Sequence, residues 1–170
     1  MQSIMEILTD KMTGLIESSA SLAIHSKNSE IRNLHLLWAL TVDSSSILNQ
    51  IFNKFDINAK AVELEIKSKI SNLPTSSNVS KENIKISNEL ANSLENAKGL
   101  MSATGDKFIA VDTWISANLE NAGIKEILSK FCDILEFKKE FENLRSGSIP
   151  TFSLFILAVR VSGSALGIFS

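Results

Sequence analysis

A single cysteine, Cys132, stands in this 170-residue chain, so no internal disulfide forms and no cysteine metal framework exists. It follows an apolar helical run and reads as a structural thiol rather than a reactive one. Histidine is almost as scarce. His25 and His35 are the two, with no cysteine or carboxylate at ligand spacing around them, which speaks against a metal site. With only 7 Gly and 2 Pro, the chain favours long regular elements over many turns. A net charge of −2, a pI near 5.7 and the lack of a polybasic arm argue against a nucleic-acid binder. The first residues, MQSIMEILTDKM, have no basic n-region and no long apolar run, so a cytoplasmic chain is expected. No G-x-S-x-G elbow and no G-x-x-x-x-G-K-[ST] loop occurs. The paired acids Glu63/Glu65 and Glu140/Glu142 have lysines nearby and read as solvated helix faces. No catalytic residue and no cofactor of its own are expected.

What is present is 44% hydrophobic residues, enough for a packed core, and a repeat. Residues 8–55 and 86–131 carry one pattern about 78 positions apart. Leu8, Met12, Leu15 and Ile16 run parallel to Ile86, Leu90, Ser93 and Leu94. Ile31 matches Ile109, Leu36 matches Trp114, Leu37 matches Ile115 and Ala39 matches Ala117. With a slightly shorter offset, Leu48, Ile51, Phe52 and Phe55 match Ile124, Ile127, Leu128 and Phe131. The pairing of Trp114 with Leu36 makes that tryptophan a core residue. Two copies of one helical unit predict a pseudo-twofold domain with a groove along the seam.

The period of 3.6 predicts helices over 5–24, 33–42, 46–55, 59–71, 87–102, 111–121, 124–131 and 135–145. The second, NLHLLWALTV, is apolar nearly all round and predicts a short central helix with Asn33 as its cap. Asn58 is the expected cap of the fourth. Pro74 and its Ser/Asn neighbours mark a linker. The fold class predicted is all-α: repeat 1 over about 5–72, linker 73–83, repeat 2 over about 84–147. No strand-like alternation of useful length is seen. Residues 148–170 form an atypical apolar tail with one base, Arg160, and no acid. It is about long enough to cross a bilayer. Arg160 near its middle would cost about 2.5–3.5 kcal/mol there, so a non-native or out-of-frame end is expected ahead of an anchor.

The strings LTDKM, Ala20–Ala23 and His35-Leu36-Leu37-Trp38-Ala39-Leu40 resemble the first Clp N-terminal repeat. Gly105-Asp106-Lys107-Phe108-Ile109, Asn118-Leu119-Glu120 and Leu144-Arg145-Ser146-Gly147 resemble the second repeat of ClpB-type disaggregases. The resemblance covers about residues 5–147. It implies an eight-helix domain, linked in the family to hexameric AAA+ ATPase modules that bind ATP and Mg. It further implies that the domain engages unfolded or aggregated polypeptides for delivery to the ring, with the isolated domain a monomer. The alternatives are an adaptor-docking N-domain of a ClpA/ClpC-type unfoldase, with adaptors or co-chaperones as partners, and a truncated fragment without function. The substrate-handling positions of the family fall on Thr9, Asp106 and Asp112, which would equally serve as helix caps. Leu94 falls on an apolar groove position, and Thr113 where the groove usually has Leu. His35 is implied to hold a helix start by a side-chain hydrogen bond, and His25 to lie on the surface.

Overall fold

The computed structural model describes residues 3–146, and the apolar tail lies outside them. The chain opens with a 3-10 turn, Ile4–Ile7. The first repeat then contributes α1 (Asp10–His25), a two-residue strand β1 (Glu30–Ile31), α2 (Asn33–Val42), α3 (Ile47–Lys54) and α4 (Ala59–Ile70). The second contributes β2 (Lys85–Ile86), α5 (Asn88–Thr104), α6 (Val111–Asn118), α7 (Ala122–Ser129) and α8 (Ile134–Ser146). The fold is all-α, and the eight expected helices are present.

Helix starts follow cap chemistry. Thr9, Ser46, Asn58, Ser87 and Asn121 each accept a backbone N–H of the first turn of α1, α3, α4, α5 and α7. Such caps are worth about 1 kcal/mol each. At α2 the expected cap is displaced by one residue. Asn33 is the first helical residue, and His35 Nδ1 takes the Arg32 N–H at 2.8 Å. The N–H of Asn33 is donated instead to Glu89 of the other repeat, at 2.9 Å. Leu8 ends the 3-10 turn in extended backbone and Thr9 follows as the α1 cap, so the first helix begins at Asp10 rather than near residue 5.

Helix α2 is the hub. It packs on α1, α3, α4, α5 and α7, which is why it is apolar on nearly every face; Leu36, Leu37 and Leu40 are fully buried. Trp114 is likewise fully buried, and its indole N–H donates to Ser93 Oγ at 2.9 Å. Asn49 satisfies the end of α2 from within the core, its amide donating to the Thr41 and Asp43 carbonyls at 2.8 Å each. Residues up to Ile134 form one compact unit. The remainder of α8 belongs to a second. Within it Phe137 and Phe141 stack with ring centroids 6.1 Å apart, and Arg145 meets Glu142 at 3.6 Å.

Two short parallel pairings carry the internal symmetry. Glu30–Ile31 pairs with Lys85–Ile86, and Leu8 bridges Ile109. Shifting by the repeat offset turns Leu8 into Ile86 and Ile31 into Ile109, so each pairing is the image of the other. The Thr9 N–H reaches the Ile109 carbonyl at 3.0 Å, and its mate Ser87 reaches the Ile31 carbonyl at 3.0 Å. The turns after α1 and α5 match too. Lys27 and Gly105 both hold positive φ, 61° and 83°. The next residues, Asn28 and Asp106, donate their N–H groups to Ala23 and Met101 at 2.8 and 3.0 Å. Two-residue strands are too short to leave a period in the sequence, so reading it revealed neither.

Candidate functional site

The Leu8–Ile109 bridge brings two chain segments to one edge of the molecule. The Ile109 N–H donates to the Ile7 carbonyl at 2.6 Å, and Ile109 in turn accepts from Thr9. The pairing joins Ile7–Thr9 to Ile109. Just before it in the two segments stand Met5, 40% exposed, and Phe108, 52% exposed. An apolar ring left half in water beside a closed helical core is what a site for hydrophobic chains requires, since apolar burial is non-directional and accepts varied partners. Acids surround it: Asp10 and Asp106 are exposed and Asp112 is half-buried, with Lys107 the one base between Gly105 and Asp112.

The residues expected from the sequence are divided by this geometry. Thr9 sits in the ladder as the α1 cap, its hydroxyl accepting the Met12 N–H at 3.1 Å. Asp106 lies in the exposed turn after α5, where its carboxylate accepts the Thr104 hydroxyl at 2.9 Å. Asp112 is in the first turn of α6. Thr9 pairs with Ile109 directly, and Asp106 and Asp112 lie three residues to either side of Ile109 in the chain. Leu94, by contrast, has no exposed surface and presents nothing to a ligand as the chain stands. Thr113 is 2% exposed, and its hydroxyl accepts the Ala110 N–H at 3.3 Å, fixing the start of α6. Met5 and Phe108 are the functional candidates that sequence reasoning missed. The signal for Phe108 was its repeat mate, Glu30, a polar residue at a position that must therefore face water.

Two concavities lie elsewhere. One, of about 100 Å³, straddles the seam between repeats, with Leu34 and Lys69 on one side and Glu89, Ile124 and Ile127 on the other. The Lys69–Glu126 pair, 2.7 Å apart, stands at its rim, and each partner stabilises the charge of the other: Lys69 is raised and Glu126 lowered from the ordinary value. The second, of about 460 Å³, runs between α1 and α2 past Gly14, Trp38 and Val42. Burial pushes the Asp43 carboxyl up there, but the hydrogen bonds from Lys11 and Ser45 outweigh it and hold the group below its usual range.

His35 is a structural group. It is fully buried, and its Nε2 lies 3.0 Å from Asn28 Oδ1. With Nδ1 accepting from Arg32, the network assigns the proton to Nε2 and leaves the ring neutral. Burial first, then the Arg32 charge, lower its pKa from 6.5 to about 4. His25 is exposed. Cys132 is half-buried with its thiol pushed up by burial, which makes it a poor nucleophile. Among the described residues no three His, Cys, Asp or Glu side chains gather as a metal site would need. No helix among them is long and apolar enough to cross a membrane.

The model of the Clp repeat (R) N-terminal domain matches residues 7–131. The chain belongs to this family. Among its relatives, the chaperone protein ClpB of Wolinella succinogenes is 48% identical over 143 residues, covering 84% of this chain. The match spans 17% of that protein's length. Solved Clp N-domains share the fold. The Hsp104 N-terminal domain of Candida albicans aligns with TM-score 0.72 at 23% identity, over 83% of this chain and 92% of the other. A ClpV N-domain in complex with a VipB peptide aligns with TM-score 0.57 at 19% identity, over 83% and 84% of the two chains.

Proposed function

We propose that this Clp N-domain is a non-catalytic binding module that engages exposed hydrophobic segments of unfolded or aggregated polypeptides through the Thr9–Ile109 edge. Delivery would be to an AAA+ ring of the kind its ClpB relatives imply. The observation that supports the reading is that two exposed large hydrophobics, Met5 and Phe108, fall in the two segments that the Leu8–Ile109 bridge joins, with the exposed acids Asp10 and Asp106 in the same segments. Weak, sequence-tolerant contact suits a domain that must release what it holds. Half a phenylalanine is available for burial, worth about 1 kcal/mol, or roughly a fivefold change in affinity. The test is titration of the chain into a labelled, permanently unfolded protein, comparing it with Phe108→Ser. Saturable binding that weakens about fivefold in the variant, at unchanged melting temperature, supports the reading. No binding, or binding indifferent to Phe108, refutes it.

A second reading has a specific observation behind it. A ClpV N-domain of the same fold forms a complex with a VipB peptide, which supports docking of a defined peptide here. Docking of an adaptor would then replace capture of unfolded chains. In that case one folded partner binds and unfolded model proteins do not.

A further inference from the structure

The two turns that follow α1 and α5 are equivalent by the internal symmetry, yet only the first is covered. In the first repeat the inter-repeat segment lies against the turn. The Ser76 N–H donates to the Lys27 carbonyl at 2.8 Å, and Asn28 Nδ2 donates to the Pro74 carbonyl at 3.1 Å. Asn28 is held in place from behind by His35, and is 3% exposed. In the second repeat the mates of Lys27 and Asn28 are Gly105 and Asp106. Here Ser102–Phe108 are exposed throughout, and among the described residues nothing donates to the Gly105 carbonyl. Thr113 replaces His35, and its hydroxyl is spent on the Ala110 N–H. Asp106 is thereby released from the role that buries Asn28 and faces water.

We propose that the turn Gly105–Phe108 is a seat for an extended segment of a client polypeptide. The segment binds in the register that Pro74–Ser76 adopts on the turn Lys27–Glu30. The proposal rests on the reading of this edge as the client site and adds the mode and selectivity of contact. A client N–H donates to the Gly105 carbonyl, as the Ser76 N–H donates to Lys27. Two residues earlier, the client's backbone carbonyl faces Asp106 as the Pro74 carbonyl faces Asn28, whatever side chain it carries. Asn28 donates to a carbonyl, whereas the Asp106 carboxylate accepts and repels one. A Lys or Arg side chain at that position pairs with the exposed carboxylate and offsets the repulsion, so the preferred client carries one. The Phe108 ring, in place of Glu30, covers the apolar side chains on either side.

The test uses the whole chain, ¹⁵N-labelled, and two end-capped peptides: the sequence of residues 72–79, and the same with lysine in place of the proline. Each is titrated against the native chain and against Asp106→Asn, an exposed change whose melting temperature serves as the control. The expected result is amide shifts centred on 104–108, with the lysine peptide favoured about two- to fivefold by the native chain, as an exposed ion pair gives. In Asp106→Asn the lysine advantage disappears and both peptides bind alike, because the amide donates to the backbone carbonyl that both carry, as Asn28 does to Pro74. Shifts confined elsewhere, or a preference that Asp106→Asn leaves unchanged, overturn the seat. If the peptides fail while unfolded proteins still bind, the register is wrong and the client-site reading stands; if unfolded proteins fail as well, that reading falls.

Discussion

Acid should weaken this domain through one buried ring. His35 is neutral in the folded chain, its pKa lowered from 6.5 to about 4 by burial and by the Arg32 charge. The unfolded chain binds a proton at this residue below about pH 6.5 and the folded chain does not. Stability is therefore complete above the unfolded pKa and declines as pH falls towards the folded one. Taking the two values as 6.5 and about 4, lowering the pH from about 7.5 to about 5 costs close to 2 kcal/mol from this group. Denaturant unfolding at the two pH values measures it, with His35→Gln as the reference, since glutamine can still accept from Arg32 and donate to Asn28. Carboxylates contribute equally in both proteins and cancel. The native chain should lose about 2 kcal/mol more than the variant between the two pH values. Equal losses, or a His35 ring that titrates near its usual value by NMR, would refute the assignment of a neutral, doubly bonded ring.

Three further outcomes follow from the geometry. Lys27→Gly, at φ 61°, should stabilise the chain by about 0.5–1 kcal/mol in thermal unfolding. Gly105→Ala, at φ 83° and with open space around the added Cβ, should destabilise it by about 1 kcal/mol from backbone strain alone. Ser93→Ala leaves the buried Trp114 indole N–H without its partner and should cost about 1–3 kcal/mol, visible as an earlier denaturant midpoint at unchanged slope.

Most of the architecture could be read before any coordinates, and the reasons are physical. Helix α2 has its expected bounds because a segment buried on all sides is apolar until the chain turns polar at both ends. The duplication was visible because both copies fill the same core positions, as with Leu36 and Trp114. What escaped was whatever lacks a period: the two short parallel pairings, and the displaced cap of α2, where a histidine two residues inside the helix does the work. The site was legible in part. Thr9, Asp106 and Asp112 came from resemblance, and the pairing sets Thr9 against Ile109, with the two acids three residues to either side of it in the chain. The same resemblance offered Leu94 and Thr113, which burial withholds. Phe108 was not legible as a surface residue, because an aromatic residue in an apolar string reads as core until its polar repeat mate, Glu30, is considered.

The central claim is that clients bind where the segments around Thr9 and Ile109 meet. Mapping amide shifts of the ¹⁵N-labelled chain on addition of an unfolded protein tests it most directly. The account predicts that the largest changes fall within 4–10 and 104–113 and shrink in a Met5→Ser, Phe108→Ser double variant. Changes centred on the α1–α2 groove around Trp38, untouched by the double variant, would contradict it.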